Sequence, residues 1–338
     1  MAQKGTDAFV TFNLQNVRYL TGYTGTNGAA LVTGARALFF TDFRYAEQVE
    51  KEVPSMHIRI AQKALADEVG EELSKAKAKR TAYEDRHVTV RLMAQLQKSA
   101  KTRWVPCGMV EELRMVKDAG EIALLEKNFA LLAKTFSGIG EIVVAGRTEN
   151  QAAAELEYRL MKAAGGGPAF DFIIASGPRS AMPHGVASGK KMKKGEPVVV
   201  DWGWVVDGYH SDNTRTVFLG KPHPKMKEVY DIVLEANRRA IEKARPGVPL
   251  KEIDAAARDF ITQKGYGKYF GHGTGHGVGL EIHESPTVNS RATETAREGM
   301  VFTIEPGIYL PGLGGVRIED MLVVTGKGNR VFSKRLPK

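Results

Sequence analysis

The chain has little cysteine and no long apolar run. Cys107 is the only cysteine among 338 residues, which excludes an internal disulfide framework and a zinc site built from cysteines. No apolar run approaches the ~20 residues that a membrane-spanning helix needs. The N-terminal Met-Ala-Gln-Lys-Gly-Thr-Asp also lacks the apolar block of a secretory signal. We therefore expect a soluble, cytoplasmic protein with no membrane partner.

The charge is basic but is not arranged for nucleic acid. The chain has 48 Lys and Arg against 39 Asp and Glu, which gives a formal net charge of +9. The basic residues lie in short runs, at 75–80 and 190–194, without interleaved aromatic residues and without a nucleic-acid motif. We expect a solvated basic surface and no nucleic-acid partner. The length predicts about two domains.

Local patterns divide the chain into two parts. Short strands at 28–33 and 37–41 and a helix at 64–78, with apolar residues four apart, indicate a small α/β domain. Beyond it the sequence is richer in helix. Asp118 with Glu121, and Thr148 with Gln151, are capping boxes that predict two helix starts, and further helices are expected near 225–244 and 250–264. We predict domains at 1–112 and 113–338.

The second part contains one layout twice. An apolar strand ends in a carboxylate, Asp201 in Val-Val-Val-Asp-Trp-Gly and Glu305 in Val-Phe-Thr-Ile-Glu-Pro-Gly. After a glycine-containing turn, each is followed by a return strand with a second acid, Asp212 or Glu319. Two similar halves would point four acids at one centre.

Four acids at strand ends are costly to bury without compensating positive charge. The glycine-rich segment 271–284 supplies His272, His276 and His283. Four carboxylates with one imidazole suit two fairly hard divalent ions better than one structural zinc ion. Such a pair of ions would hold and deprotonate a bridging water and polarise a carbonyl, which is the chemistry of a hydrolase.

The set Asp201, Asp212, His276, Glu305 and Glu319 resembles the metal ligands of the M24 "pita-bread" metallopeptidases, which include prolidase, Xaa-Pro aminopeptidase and methionine aminopeptidase. The matching strings are Val-Asp-Trp-Gly, Ser-Asp-Asn-Thr-Arg-Thr, Gly-His-Gly-Val-Gly-Leu-Glu-Ile-His-Glu, Thr-Ile-Glu-Pro-Gly-Ile-Tyr and Gly-Val-Arg-Ile-Glu-Asp. The strings Asn-Val-Arg-Tyr-Leu-Thr-Gly-Tyr and Phe-Phe-Thr-Asp-Phe-Arg-Tyr resemble the N-terminal domain of the prolidase and Xaa-Pro aminopeptidase branch.

This resemblance implies an α+β protein. A small creatinase-like α/β domain would precede a pita-bread domain with a curved antiparallel sheet in two pseudo-twofold halves. It also implies a homodimer and two divalent ions, with Mn²⁺ favoured and Co²⁺ or Zn²⁺ as alternatives. Asp201 and Asp212 would hold one ion, His276 and Glu305 would complete the second centre, and Asp212 and Glu319 would bridge the two.

The resemblance also implies roles around the ions. Glu305 would act as general base and then acid, and His283 would stabilise the tetrahedral intermediate. His184 and His272 would line the pocket for the residue after the scissile bond, and Arg317 would order the ligand shell or the substrate. Phe170 is a candidate for a proline pocket, with a place in the core as the alternative. We expect His210 to be non-catalytic and Cys107 to be a buried filler.

The predicted activity is hydrolysis of the bond before proline, by an Xaa-Pro aminopeptidase acting on peptides or by a prolidase acting on dipeptides. In prolidases a cation must hold the free carboxylate of the dipeptide. The position after His283-Glu-Ser-Pro, where relatives often have arginine, is Thr287, which favours the aminopeptidase unless Arg291 or another basic residue substitutes. A metal-free relative such as creatinase and a non-enzymatic binding module are the remaining alternatives, and the complete ligand set argues against both.

Overall fold

The computed structural model describes Met1 and residues 4–338. Contacts divide the chain into two compact units, Met1–Leu113 and Arg114–Lys338. Every helix among the described residues is too short or too polar to cross a membrane.

The first unit is a six-stranded mixed sheet with helices. Its strands are β1 (Ala8–Thr11), β2 (Ala29–Thr33), β3 (Ala37–Thr41), β4 (His57–Ile60), β5 (Arg80–Tyr83) and β6 (Arg103–Pro106). Its helices are α1 (Leu14–Thr21), α2 (Ala46–Glu52), α3 (Leu65–Lys75), α4 (Val90–Ser99) and α5 (Met109–Arg114), the last of which ends in the second unit. The sheet order is β4-β3-β2-β1-β5-β6. The strands β1 to β3 pair antiparallel, and the other pairs are parallel.

The strands predicted at 28–33 and 37–41 are confirmed as β2 and β3. The helix predicted at 64–78 is confirmed as α3, but it ends three residues earlier. Lys77 adopts a left-handed conformation with φ of 50°, and the Ala78 N–H donates to the Leu73 carbonyl, which closes the last turn. Helices α3 and α4 pack Val69, Leu73 and Leu96 against the sheet.

The first two long helices of the second unit begin at the predicted capping boxes. These are α6 (Ala119–Phe136) and α8 (Glu149–Ala164), with the short α7 (Ile139–Ile142) between them. The Asp118 carboxylate accepts from the Glu121 N–H, and the Glu121 carboxylate accepts from the Asp118 N–H, both at 2.9 Å. The helices predicted near 225–244 and 250–264 are confirmed as α9 (Pro224–Lys243) and α10 (Leu250–Gln263).

The strands of the second unit pair antiparallel throughout. They are β7 (Gly167–Pro168), β8 (Ile173–Ser176), β9 (Pro197–Trp202), β10 (Trp204–Val206), β11 (Tyr209–His210), β12 (Asn213–Phe218), β13 (Gly275–Gly277), β14 (Glu284–Val288), β15 (Val301–Ile304), β16 (Gly307–Leu310), β17 (Gly314–Arg317), β18 (Asp320–Thr325) and β19 (Gly328–Val331). They form the sheets β11-β10-β7, β12-β9-β8, β14-β13-β15-β18-β19 and β16-β17.

The repeated layout predicted from the sequence is confirmed. Strand β9 pairs with its return strand β12, with Trp202 opposite Asn213, and β15 pairs with β18, with Ile304 opposite Asp320. The segments expected to be simple turns are instead two-stranded hairpins, β10–β11 and β16–β17. These hairpins form because each segment continues in extended residues on both sides of a glycine turn, at Gly208 and Gly312, where φ is positive.

The core of the second half joins helices to sheet. One buried cluster joins side chains of both helices to side chains of the sheet. It contains Val229, Val233 and Ala236 of α9, Ile253 and Ala257 of α10, Phe302 and Ile304 of β15, and Leu322 of β18. The apolar face of α9 predicted by its periodicity is therefore the face that covers the sheet. The predicted α+β class is confirmed.

Candidate active site

The four strand-end acids meet at one cavity of about 490 Å³ in the second unit. Asp201 lies near the end of β9, and Asp212 directly precedes the return strand β12. Glu305 directly follows β15, and Glu319 directly precedes β18. Because both halves pair an outgoing strand with a return strand in the same way, each half delivers two carboxylates to the same place.

His276 of β13 completes this group. Each of Asp212, His276 and Glu319 offers one atom that could bind a metal ion, a carboxylate oxygen or an imidazole nitrogen. These three atoms lie within 4.8 Å of one another. The His276 Nε2 lies 3.5 Å from Asp212 Oδ2 and 3.3 Å from Glu305 Oε1. Its Nδ1 lies 3.1 Å from the Gly277 carbonyl oxygen and donates to it, which leaves the Nε2 lone pair facing the acids. Burial lowers the pKa of His276 to about 3, so the imidazole is neutral.

The positive charge and hydrogen-bond donors around the acids do not satisfy all of their oxygens. Burial and the neighbouring carboxylates Glu319 and Asp201 hold the pKa of Asp212 well above its ordinary value. Burial and the charges of Glu305 and Asp201 do the same to the pKa of Glu319, and burial raises the pKa of Glu305 to about 8. Asp201 Oδ1 and Glu319 Oε1 are buried without a hydrogen-bond partner. Orphaned carboxylate oxygens beside a neutral imidazole are a donor set that fits divalent cations.

Arg317 holds one side of the group from β17. It is 4% exposed, and its Nη2 donates to Asp201 Oδ2 at 2.6 Å. Its Nη1 donates to the Pro183 carbonyl oxygen and to the Tyr309 hydroxyl, both at 2.9 Å, and its Nε donates to Thr214 Oγ1 at 3.1 Å. Arg317 therefore fixes Asp201 and the chain just before His184.

Tyr309 is a site residue that the sequence reasoning missed. The His272 Nδ1 donates to the Gly273 carbonyl oxygen at 2.8 Å, so its Nε2 accepts from the Tyr309 hydroxyl at 2.8 Å. Burial, with a smaller contribution from the charge of Arg317, lowers the pKa of His272 to about 4. The signal was the position of Tyr309 four residues after Glu305, in a string that had already been noted.

The remaining predicted residues line the same cavity. The His283 ring packs edge-on against His276, with ring centroids 4.3 Å apart. His184 and Phe170 form part of the wall, and Phe170 also contacts Phe172 at a centroid distance of 6.5 Å. Thr287 and Asn289 line it as well. The sequence pointed to position 287 but not to Asn289.

Three residues lie elsewhere. His210 is outside the lining, and its Nδ1 lies 3.2 Å from the Gly279 carbonyl oxygen. Arg291 is also outside the lining. Cys107 is buried in the first unit, as predicted.

Comparison with known proteins decides the family. The model of metallopeptidase family M24 matches residues 123–326, and that of the creatinase/prolidase N-terminal domain matches residues 1–116. The uncharacterized peptidase YqhT of Bacillus subtilis (strain 168) is 40% identical over 98% of this chain and 94% of its own length. The chain belongs to metallopeptidase family M24.

Solved M24 structures have the same fold. The Xaa-Pro dipeptidase from Bacillus anthracis matches with a TM-score of 0.96 and 40% identity, covering 100% of this chain and 95% of that one. The X-Pro aminopeptidase from Thermotoga maritima MSB8 matches with a TM-score of 0.89 and 38% identity, covering 98% of this chain and 96% of that one. The predicted creatinase-like and pita-bread architecture is confirmed, and this M24 protein is a metallopeptidase.

Proposed function

We propose that the protein hydrolyses the Xaa-Pro bond at the N-terminus of peptides, as an Xaa-Pro aminopeptidase. The observation that carries the proposal is the cavity where Asp212, His276 and Glu319 converge, beside Asp201 and Glu305, in an M24 chain. The relatives named as Xaa-Pro dipeptidases and aminopeptidases support the proline-directed branch.

Two divalent cations, most favourably Mn²⁺, would be held by Asp201, Asp212, His276, Glu305 and Glu319. When bound, they supply positive charge for these acids and Lewis-acid activation of water and of the substrate carbonyl. The crowded carboxylates and the orphaned oxygens of Asp201 and Glu319 support this assignment.

The side chains of this chain would move the protons. An Xaa-Pro bond is a tertiary amide without an N–H, and its nitrogen, like that of any amide, must be protonated before it leaves. Glu305 would take a proton from the attacking water and deliver it to that nitrogen. His283 would donate a hydrogen bond to the oxyanion of the tetrahedral intermediate. His184, His272 and Phe170 would surround the proline, with His272 held by Tyr309 and Arg317 holding Asp201.

Chain-length preference follows from the charges around the cavity. Arg317 is the only arginine or lysine among the described residues that line it, and its nitrogens already bind four protein oxygens. A dipeptide carboxylate would therefore find no uncommitted cation, which favours longer peptides. Prolidase activity is the second candidate, because relatives 48% identical over 68% of the chain are named Xaa-Pro dipeptidases.

The test is a paired hydrolysis assay on metal-free and Mn²⁺-loaded protein. The substrates are an Xaa-Pro dipeptide, an Xaa-Pro-Yaa tripeptide and the Xaa-Ala-Yaa tripeptide, all with the same first residue. We expect metal-dependent release of that residue, mainly from the proline tripeptide. Faster cleavage of the dipeptide would make the protein a prolidase, and equal cleavage of the alanine tripeptide would refute proline selectivity. His276→Ala is the inactive control.

Three expectations stay predictions: the domain boundary between residues 112 and 113, the homodimer and the cytoplasmic location. The match of the creatinase/prolidase N-terminal model to residues 1–116 supports a division in this region. Analytical ultracentrifugation of the full chain would check the dimer.

A further inference from the structure

A buried cluster of three charged residues lies beside His283, and the proposed chemistry does not use it. The side chains of Glu284, Arg114 and Lys117 are 6%, 2% and 0% exposed. Lys117 Nζ donates to Glu284 Oε1 at 2.8 Å, and Arg114 Nη2 donates to Glu284 Oε2. Burying three charges costs free energy that an apolar cluster would not, so the arrangement invites a functional explanation.

The carboxylate of Glu284 closes the loop that presents His283. Its Oε2 also accepts from the Glu281 N–H at 3.3 Å, while Arg114 Nη2 donates to Glu281 Oε2 at 2.8 Å. Gly279 packs so closely that a Cβ there would lie 2.4 Å from Glu284 Oε1. Residues 279–284 are thus folded around one carboxylate, whereas the neighbouring His283 lines the catalytic cavity.

The backbone at Lys117 is hydrogen-bonded to the segment that leads into β15. The Lys117 N–H donates to the Gly299 carbonyl oxygen at 2.9 Å, and Val116 bridges to Met300, directly before β15. Burial alone would raise the pKa of Glu284, but the charges of Lys117 and Arg114 hold it below its ordinary value. The carboxylate is therefore ionised and held between two cations.

We propose that Glu284 is a positioning residue, which with Lys117 and Arg114 fixes the backbone at His283 and so holds its imidazole against His276 at the cavity. The inference rests on the proposed function, in which His283 contacts the tetrahedral intermediate. Glu284 itself contacts neither substrate nor reacting atoms, so its effect on catalysis passes through His283.

A kinetic double-mutant cycle on the Mn²⁺-loaded full chain tests this relation. We expect Glu284→Gln to lower kcat about 10-fold or more, with a smaller change in KM. Loss of a group that orients a functional histidine typically lowers activity by that much. In the His283→Ala background, Glu284→Gln should change kcat less than about 2-fold, since residues that act as one unit are not additive. Glu84→Gln, at a buried carboxylate of the first unit, should leave kcat unchanged.

Lys117→Met is the second variant, in case Glu284→Gln does not fold. It removes the cation while keeping an unbranched apolar side chain, and it should give the same loss and the same non-additivity with His283→Ala. Equal losses in both His283 backgrounds, for whichever variant folds, would overturn the proposal and leave the cluster a purely structural role.

A second readout needs no metal and no substrate. In metal-free, ¹⁵N-histidine-labelled full chain, the ring resonances of His283 are identified by their loss in His283→Ala. We expect them to shift or broaden in Glu284→Gln or Lys117→Met, while those of the exposed His57 and His223 stay unchanged. Unmoved His283 resonances would overturn the proposal.

The two readouts separate two failures. If His283→Ala leaves kcat unchanged, the role of His283 in the proposed function is wrong, and the resonances alone then decide whether Glu284 positions it. If His283→Ala lowers kcat but the cycle is additive, only the present inference fails.

Discussion

Arg317 is the cation among the buried acids of the cavity. One guanidinium satisfies a carboxylate, a hydroxyl of tyrosine, a hydroxyl of threonine and a backbone carbonyl. A planar fork with five N–H groups can do this, whereas an ammonium group has three donors at one point. The residue type, and not only its charge, is therefore required at this position.

We predict that Arg317→Lys lowers both activity and stability. The free energy of unfolding should fall by about 1–3 kcal/mol, because buried acceptors such as the Pro183 carbonyl lose their donor. Urea unfolding of the metal-free protein measures the change. Arg330→Lys, in an ion pair with Glu126 where the side chain of Arg330 is 52% exposed, is the control and should cost less than about 0.5 kcal/mol. Equal losses in both variants would contradict the prediction.

Glu84 is a buried acid in the first unit, away from any proposed chemistry. It is 1% exposed, its Oε2 accepts from Thr11 Oγ1 and its Oε1 accepts from Asn16 Nδ2, both at 2.6 Å. Asn16 Nδ2 also donates to Glu111 Oε1 at 2.7 Å. Burial, with a smaller contribution from the charge of Glu111, raises the pKa of Glu84 from 4.5 to about 7.

This pKa shift predicts a pH dependence of stability. Between pH 4.5 and about 7 the folded protein keeps the proton that the unfolded chain has lost, so stability falls as the pH rises. The loss is about 3 kcal/mol over this window. Urea unfolding at several pH values measures it for the wild type and for Glu84→Gln. In the variant, the free energy of unfolding should depend less steeply on pH in this window. Identical slopes in the wild type and the variant would refute the raised pKa of Glu84.

At the scale of elements, capping boxes define where the helices of the second unit begin. Thr148 Oγ1 accepts from the Gln151 N–H at 3.2 Å, and the Gln151 side chain accepts from the Thr148 N–H at 3.0 Å. The next residue, Glu149, is fully buried and accepts from Ser176 and Ser188, so the start of α8 also fixes the loop after β8. Two reciprocal hydrogen bonds thus define the start of the helix, and Glu149 connects that start to the end of β8.

We predict that Thr148→Ala lowers the free energy of unfolding by about 1 kcal/mol, the usual cost of a lost N-cap. Thr148→Ser keeps the hydroxyl acceptor and should cost only a few tenths of a kcal/mol. Thermal unfolding followed by far-UV circular dichroism compares the two variants with the wild type. A serine variant as unstable as the alanine variant would show that the methyl group, and not the cap, provides the stability.

At the scale of the whole molecule, a bound divalent cation should act as a ligand of the folded state. The side chains that would hold it come from separate halves of the second unit, one built on the pair β9–β12 and the other on the pair β15–β18, so the unfolded chain offers no such site. Binding then adds stability in proportion to the logarithm of the free metal concentration.

We predict that Mn²⁺ at about 100 times its dissociation constant stabilises the metal-free protein by about 2.7 kcal/mol for each site that it fills. Scanning calorimetry of the EDTA-treated protein with and without Mn²⁺ measures the rise in Tm. His276→Ala should lose most of the rise, whereas Glu84→Gln should keep it. A full rise in His276→Ala would mean that the cation binds elsewhere.

Local sequence determined the elements of this protein and the identity of its acids. Capping boxes, apolar periodicity and glycine turns act over three to eight residues, so α3, α6, α8, α9 and α10 and the strands β2 and β3 follow from the chain alone. The repeat of an apolar strand ending in an acid also gave Asp201, Asp212, Glu305 and Glu319 in advance. The end of α3 and the hairpins β10–β11 and β16–β17 were less well predicted, because one left-handed residue or a few extended residues decide them.

Tertiary structure alone decided the partners. Arg317 lies 116 residues from Asp201, and Lys117 lies 167 residues from Glu284. Tyr309 meets His272 only because the β16–β17 hairpin lies beside the histidine-rich loop. Such contacts depend on strand register and on which faces of the helices are buried, and these are set by packing over the whole unit. A local pattern can therefore predict that an acid lies at the site, but not which distant side chain holds it in place.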